Sequence, residues 1–566
     1  MTTMQVREEP VDERRLRSWL DAPDGVFGEG EAKSPLFAAS RAAPSLVEAA
    51  LDAWLASKLS LSTADDVPWF HELVTRWGGH GRIAFESNGE RLSYDELEAR
   101  TAARARAWRA DGVDAGSTVG ICRPFGVDYV VDVLTAFRVG ACAAWIPPYG
   151  DAYEATALRA LMPDFVSTTP GSGERWREAD VCVLTSESRL RGFWSSSSAI
   201  QTYTRQQESW AVLSPTAAET DGESPSWQPT RLGCEALRRA VARDAAVVWR
   251  LRPGDAVTAP GFDGPRYQPG LLLSCLIAGG CYVHSVRQEV AAQQRRSTRA
   301  WRVCGVGSEL CALWSQQPEA RPQADLWFRD LEAPYDAERW KDFVDASKLE
   351  ALHCAVCTEP ALGGVVLATP QRRNVLDGDV YVAPGVAFEL TPLEGAPPDS
   401  GVGVLELPAR GAGKPYVLLA ETHTGRLRYL GTTEPRRGGC VFPRAEVEAL
   451  VERLPGVVAA RVVAVPSGRA EGGVRFGLLV FARSRASWND VRCAAVRAVV
   501  EAFLREALPS EVRPDFVECH PVAPAFDEGG AVDRARTHAQ RLRGVLKKKA
   551  KLRVFRELAA LYARSS

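Results

Sequence analysis

The chain has 566 residues, 46% hydrophobic and 25% charged, with 69 basic and 71 acidic side chains and a net charge of −2. This composition excludes a disordered or fibrous protein, and the balanced charge gives no reason to expect nucleic acid or a membrane surface as partner. At about 150 residues per domain the length predicts between three and four domain-sized units.

The first residues, Met1 to Leu20, contain no apolar core, so no signal peptide is expected. The longest apolar stretch, Gly270 to Val283, is 14 residues long, short of the roughly 20 needed to cross a bilayer. A cytoplasmic location is expected. Residues 1–67 read as a helical extension, with Leu46, Ala50, Leu51, Trp54 and Leu55 at helical spacing between Ser45 and Leu59.

From Arg82 the pattern changes. Ile83 to Phe85 reads as a strand and Asn88-Gly89 as a hairpin turn. Ser93 with Glu96 forms a capping-box signature for a helix ending at Gly112. Val119 to Cys122 is a predicted buried strand, Asp128 to Val139 a helix and Ala141 to Ile146 a strand. Alternation of this kind predicts a parallel α/β sheet. Residues 170–230 are rich in Ser, Thr, Pro and Gln and read as loop. Leu271 to Val283 reads as a buried helix and strand joined by Gly279-Gly280. A boundary is placed near Gly431, after the strand-like Gly425 to Leu430. Beyond it, Arg444 to Leu454 and Ala494 to Ala507 read as helices, and Val457 to Val465 and Val474 to Ala482 as strands. Asp533 to Ala563 reads as one long helix.

The 13 cysteines are scattered, which is not the pattern of a secreted disulfide scaffold. The single CxxC, Cys354 and Cys357, has no second pair at metal-site spacing, so no metal is expected. His353 and Cys357 share a strand face but stand about 13 Å apart at 3.3 Å per residue, too far for a Cys–His dyad. Only nine residues are lysine, against 60 arginines, and Lys547, Lys548, Lys549 and Lys551 lie within one short stretch.

Five strings taken in order resemble the adenylate-forming (ANL) superfamily of acyl- and aryl-CoA ligases and peptide-synthetase adenylation domains. They are residues 91–121, residues 262–283, CTEPALGG at 357–364, TGRLRYLG at 424–431, and residues 438–465. The resemblance covers about residues 68–540 and is strongest as an ordered set. It implies an α/β fold: a large N-terminal domain with αβαβα-type sheets plus a small mobile α+β C-terminal domain. The expected division is a helical extension (1–67), a large domain (68–430), a hinge (431–434) and a small domain with a basic terminal helix (435–566).

The resemblance also defines what should hold ATP, and four features depart from it. The Gly/Ser/Thr-rich phosphate loop ending in P-K-G corresponds to residues 213–226, which contain one glycine, no lysine, and Glu219, Asp221 and Glu223. Backbone N–H groups cradle phosphate in such loops, whereas like charges about 4 Å apart cost several kcal/mol at an effective dielectric near 20. The ribose-binding Asp is missing from Tyr416 to Glu421. The arginine after the hinge glycine is replaced by Thr432. The lysine of G-K-x-x-R is replaced by Ala531 in Gly530 to Arg534, and no lysine lies near either lysine position.

Other elements are kept. The resemblance places an acyl pocket around Tyr267, Gly270, Cys357, Thr358 and Glu359, and a pantetheine tunnel at Gly438, Gly439 and Cys440. Small residues let a backbone run beside the pantetheine arm. Each assignment has a plainer counterpart: a turn at Gly438-Gly439, a strand end at Thr358-Glu359, an inert buried thiol at Cys357. The lysine cluster suits docking of an acidic acyl carrier protein, or is a solvated helix face.

These losses and retentions predict an acyltransferase working on an acyl- or aryl-CoA thioester. The cofactor expected is a coenzyme A or phosphopantetheine thioester, without ATP or Mg. Degenerate members of the superfamily have this role in priming polyketide assembly. A non-catalytic carrier-binding scaffold and an AMP-forming acid–CoA ligase are the alternatives.

Overall fold

The computed structural model describes residues 13–21, 43–62, 67–147, 154, 157–158, 160–169, 181–185, 208–215, 227–264, 266–284, 301–307, 314, 323–331, 343–344, 351–371, 379–386, 388–392, 402–406, 417–421, 427–432, 436–437, 440–441, 444–455, 457–466, 474–482, 490–508 and 513–520.

Two helices, Glu13–Leu20 and Pro44–Lys58, open the chain. Leu16, Leu20, Val47, Leu51 and Trp54 are buried, so these helices are part of the main core. Arg239, on the helix Cys234–Arg243, reaches back to Asp52 at 2.8 Å and to Glu48. The extension is therefore docked on the α/β body.

The capping box forms as the sequence predicts. Ser93 Oγ accepts from the Glu96 N–H at 3.2 Å, and Glu96 accepts from the Ser93 N–H at 2.7 Å. The helix runs Tyr94–Ala110. Asn88 and Gly89 both have positive φ, 52° and 83°, as a type I′ hairpin requires. This turn joins Ile83–Ser87 to Glu90–Ser93.

A thirteen-stranded sheet runs in the order Glu389–Pro392, Val402–Glu406, Val417–Glu421, Leu427–Thr432, Asp379–Val382, Gly364–Ala368, Leu352–Glu359, Ala324–Asp330, Trp301–Gly305, Ala256–Thr258, Cys281–His284, Ile83–Ser87, Glu90–Ser93. From Leu352–Glu359 to Ile83–Ser87 the pairing is parallel. A six-stranded sheet has the order Cys182–Thr185, Phe165–Thr168, Thr118–Cys122, Cys142–Trp145, Glu208–Pro215, Trp227–Gly233. The helix Val127–Val139 is almost wholly buried, which explains its near-continuous apolar sequence.

One expectation is corrected. Residues 170–230 are not loop throughout: Glu208–Pro215 pairs antiparallel with Trp227–Gly233. Ser, Pro and Gln lower the local strand signal, and the pairing of Ala143 and Ala144 with Trp210 and Ala211 places the segment in the sheet. Strand preference is largely a matter of what the neighbouring strand offers.

After Leu427–Thr432 the described elements form separate sheets. Val457–Pro466, Val474–Ala482 and Phe516–His520 make three strands, covered by helices Arg444–Glu452 and Asp490–Ala507. Val447, Val451, Phe476, Val500 and Leu504 form their own core. The predicted helix Asp533 to Ala563 lies outside the described residues. Among the described residues no helix is long and apolar enough to cross a membrane.

Candidate functional site

The parallel strands of the large sheet end at one edge, where open α/β sheets bind ligands. The strand Leu352–Glu359 brings Cys357, Thr358 and Glu359 there, and the segment before the helix Gly270–Ile277 brings Arg266 and Tyr267. Arg266 is fully buried and is the residue that sequence reasoning missed. Its Nε donates to Thr358 Oγ1 at 3.1 Å, its Nη2 to Cys357 Sγ at 3.1 Å, and its Nη1 lies 3.2 Å from Asp330 Oδ2. The guanidinium thus ties its own segment to the ends of two neighbouring strands. The string GPRYQPG carries no marker that this arginine points inward.

Tyr267, Gly270 and Thr358 line one small cavity of about 20 Å³, together with Arg266, Asp244 and Gly364. That is room for about one water. Cys357 is not in its wall; it sits beneath Arg266. Glu359 also turns away, accepting from the Ala361 N–H at 3.1 Å to cap the turn Pro360–Leu362. Phe262 links the site to an aromatic group, with ring centroids 4.8 Å from Tyr267 and 4.9 Å from Phe328. The Cys354 thiol, of the CxxC, is pushed up to about 12 by burial, with Arg329 opposing. A thiol so placed is inert at neutral pH.

A second buried pair supports the floor. Arg243 Nη2 lies 2.7 Å from Asp244 Oδ1 and donates to Val365 O at 2.6 Å, while Asp244 Oδ2 accepts from the Val365 N–H at 2.7 Å. Burial raises the Asp244 carboxyl above its usual range, and Arg243 opposes this. A Cβ on Gly364 would stand 2.2 Å from Asp244 Oδ2. Gly364→Ala is therefore expected to cost about 1–3 kcal/mol by overpacking. Chemical denaturation would measure it, and a loss under about 0.5 kcal/mol would show that the pair moves freely.

Further along the same edge, Ser87 and His284 are register partners on adjacent parallel strands. Ser87 Oγ lies 3.0 Å from His284 Nδ1, and His284 Nε2 lies 3.8 Å from Asp263 Oδ2. Sequence reasoning missed this group, because Ser87 and His284 are 197 residues apart in the chain and meet only across the sheet.

Both polar residues at the end of the strand Leu352–Glu359 have partners within the fold. The Thr358 hydroxyl is held by Arg266, and the Glu359 carboxylate caps its own turn. Gly431 is followed by Thr432 at the end of a strand. The predicted pantetheine residues Gly438 and Gly439 lie outside the described residues, as do Lys547, Lys548, Lys549, Lys551 and Ala531. Cys440 is placed in the short strand Cys440–Val441. Among the described residues no cluster of metal-ligating side chains is found.

The architecture is a mixed α/β fold shared with several solved structures. ATP-bound MatB from Rhodopseudomonas palustris matches with a TM-score of 0.54 and 19% identity over 85% of this chain and 99% of that one. The amide bond synthetase McbA from Marinactinospora thermotolerans matches with a TM-score of 0.61 and 16% identity, over 84% and 99%. The o-succinylbenzoate CoA synthetase MenE from Bacillus subtilis matches with 0.59 and 14%, over 83% and 97%. At this identity the likeness establishes the fold. No protein-family model matches the chain. In sequence, a linear gramicidin synthase of Brevibacillus parabrevis is 28% identical over 141 residues, which is 25% of this chain and 2% of that protein.

Proposed function

We propose that the protein is an acyltransferase that moves an acyl group, of aryl type, from a CoA thioester to the phosphopantetheine thiol of an acyl carrier protein. The observation that carries this reading is Ala531 at the lysine position of the G-K-x-x-R motif, in a chain with no lysine near by. That lysine is a preorganised charge for the adenylation transition state. Exchange of one thioester for another needs neither ATP nor Mg. It needs an acyl pocket, a pantetheine path and a place for the thiol proton. The pocket is assigned to Tyr267, Gly270 and Thr358, with Arg266 beside them, and the path to Gly438, Gly439 and Cys440. Lys547, Lys548, Lys549 and Lys551 are assigned to carrier docking, as steering charges for an acidic partner.

His284 is the base in this scheme. The pantetheine thiol gives its proton to the imidazole as sulfur attacks the thioester carbonyl. The tetrahedral intermediate collapses with loss of the CoA sulfur, which takes the proton back. Asp263 and Ser87 position the ring.

Incubation with a holo carrier protein and a panel of aryl- and acyl-CoAs, without ATP, tests the reading by intact-mass spectrometry of the carrier. A protein-dependent gain of one acyl group is expected. His284→Gln is expected to slow that gain by roughly 10²–10⁴-fold. Acylation from free acid only when ATP is added would instead identify an AMP-forming ligase. The fold likeness to ATP-bound MatB and to a CoA synthetase favours that second reading.

A further inference from the structure

A larger cavity lies on the opposite edge of the sheet from Thr358 and Arg266. Its volume is about 410 Å³, within the range of small-molecule sites. It shares no lining residue with the small cavity beside Thr358. Arg252 precedes the strand Ala256–Thr258, and Arg302 is the second residue of Trp301–Gly305. The cavity therefore sits at the amino ends of strands whose carboxyl ends form the first site.

One wall comes from the N-terminal helices and carries Trp54 and Lys58; the facing wall carries Arg250, Arg252 and Arg302. The lining carries four cationic side chains and one carboxylate, Asp21, which accepts the Trp54 indole N–H at 2.8 Å; Asp255, outside the lining, accepts the Arg252 backbone N–H at 2.8 Å and interacts electrostatically with Arg302 and Arg252. Asp325, outside the lining, pairs with Arg302 Nη1 at 3.0 Å. Two buried donors of the lining, Trp77 Nε1 and Arg302 Nε, have no hydrogen-bond partner among the described residues. Buried donors without acceptors cost about 1–3 kcal/mol each, so an acceptor-bearing ligand would relieve them. Lys58 Nζ lies 5.6 Å from the Trp54 centroid, and Arg76 and Arg82 lie 4.5 and 5.1 Å from the Trp77 centroid, so the two indoles add aromatic walls whose faces already carry cations. Arg250 has a φ of 52° and follows the π-helical turn Asp244–Val248. Both features are enriched at functional positions.

We propose that this cavity binds a small anionic aromatic compound, a flat ring bearing a carboxylate or phosphate. The ring packs beside the tryptophans and the anion faces Arg250, Arg252, Arg302 and Lys58. The site is distinct from the acyl-transfer site and does not depend on that assignment.

Isothermal titration of the full-length protein with 2-naphthoate, 2-naphthyl phosphate and neutral 2-naphthalenemethanol tests it. One-to-one binding of at least one anion is expected, at least tenfold tighter than the neutral ring. Lys58→Ala/Arg250→Gly is expected to weaken binding at least tenfold; glycine suits the positive φ, so the variant should fold. Arg252→Gln, at an exposed position, is expected to weaken it at least threefold and serves where the double variant melts early. Arg266→Met/Asp330→Leu, on the other edge, should leave it within threefold. Absence of binding by both anions overturns the proposal. So does binding indifferent to Lys58, Arg250 and Arg252, or binding abolished by the Arg266 pair.

Discussion

Asp132→Ala is expected to destabilise the α/β body by about 3–5 kcal/mol, because it strips the counter-charge from a buried arginine. Asp132 is wholly buried on the helix Val127–Val139. Arg104 Nη1 contacts its Oδ1, while Arg123 Nε and Ser167 Oγ each approach Oδ2 to 2.6 Å. Burial raises the Asp132 carboxyl, and Arg104 and then Arg123 oppose that shift. Without the carboxylate, Arg123, 1% exposed, is left with the more distant Asp128 at 3.8 Å. The melting temperature should fall by roughly 5–10 °C. Glu90→Ala, which removes the exposed partner of Arg100, should cost under about 0.5 kcal/mol. If the two substitutions proved equally mild, the buried network would not be a source of stability.

The second large effect concerns the Arg266–Asp330 pair. Removing Asp330 alone leaves a fully buried guanidinium beside Thr358 and Cys357. That should cost about 3–5 kcal/mol. Replacing both members, as Arg266→Met/Asp330→Leu, should be near neutral in stability, because well-packed apolar groups avoid the desolvation of both charges. Carrier acylation separates structure from function here. Arg266 lines the proposed acyl pocket beside Thr358, so the double variant should keep its melting temperature and lose at least about tenfold in rate. A double variant that transfers at the full rate would make Arg266 a purely structural plug.

Much of the fold is legible in the sequence because its signals are local. Ser93 and Glu96 announce a helix start, Asn88-Gly89 a hairpin, and Gly279-Gly280 the break between a buried helix and strand. The strand Val474–Ala482 is legible to the residue. The ordered motifs point to the superfamily architecture, and the solved structures share it. The strand pair Glu208–Pro215 and Trp227–Gly233 is not legible, since its stability comes from partners across the sheet.

The candidate site divides in the same way. Thr358, Tyr267 and Gly270 are assigned from their strings, and Thr432 and Ala531 are the residues that depart from the pattern the resemblance implies. Sequence alone thus determined the mixed α/β architecture and which residue types stand at each motif position. Only the tertiary structure decided that Arg266 turns inward onto Thr358, that Glu359 caps its own turn, and that Ser87, His284 and Asp263 meet. It also decided that the N-terminal helices close a cationic cavity against Arg250 and Arg302. The physical reason is common to all four: whether a charge is buried, and what compensates it, depends on elements far apart in the chain, and composition and spacing do not encode that distance.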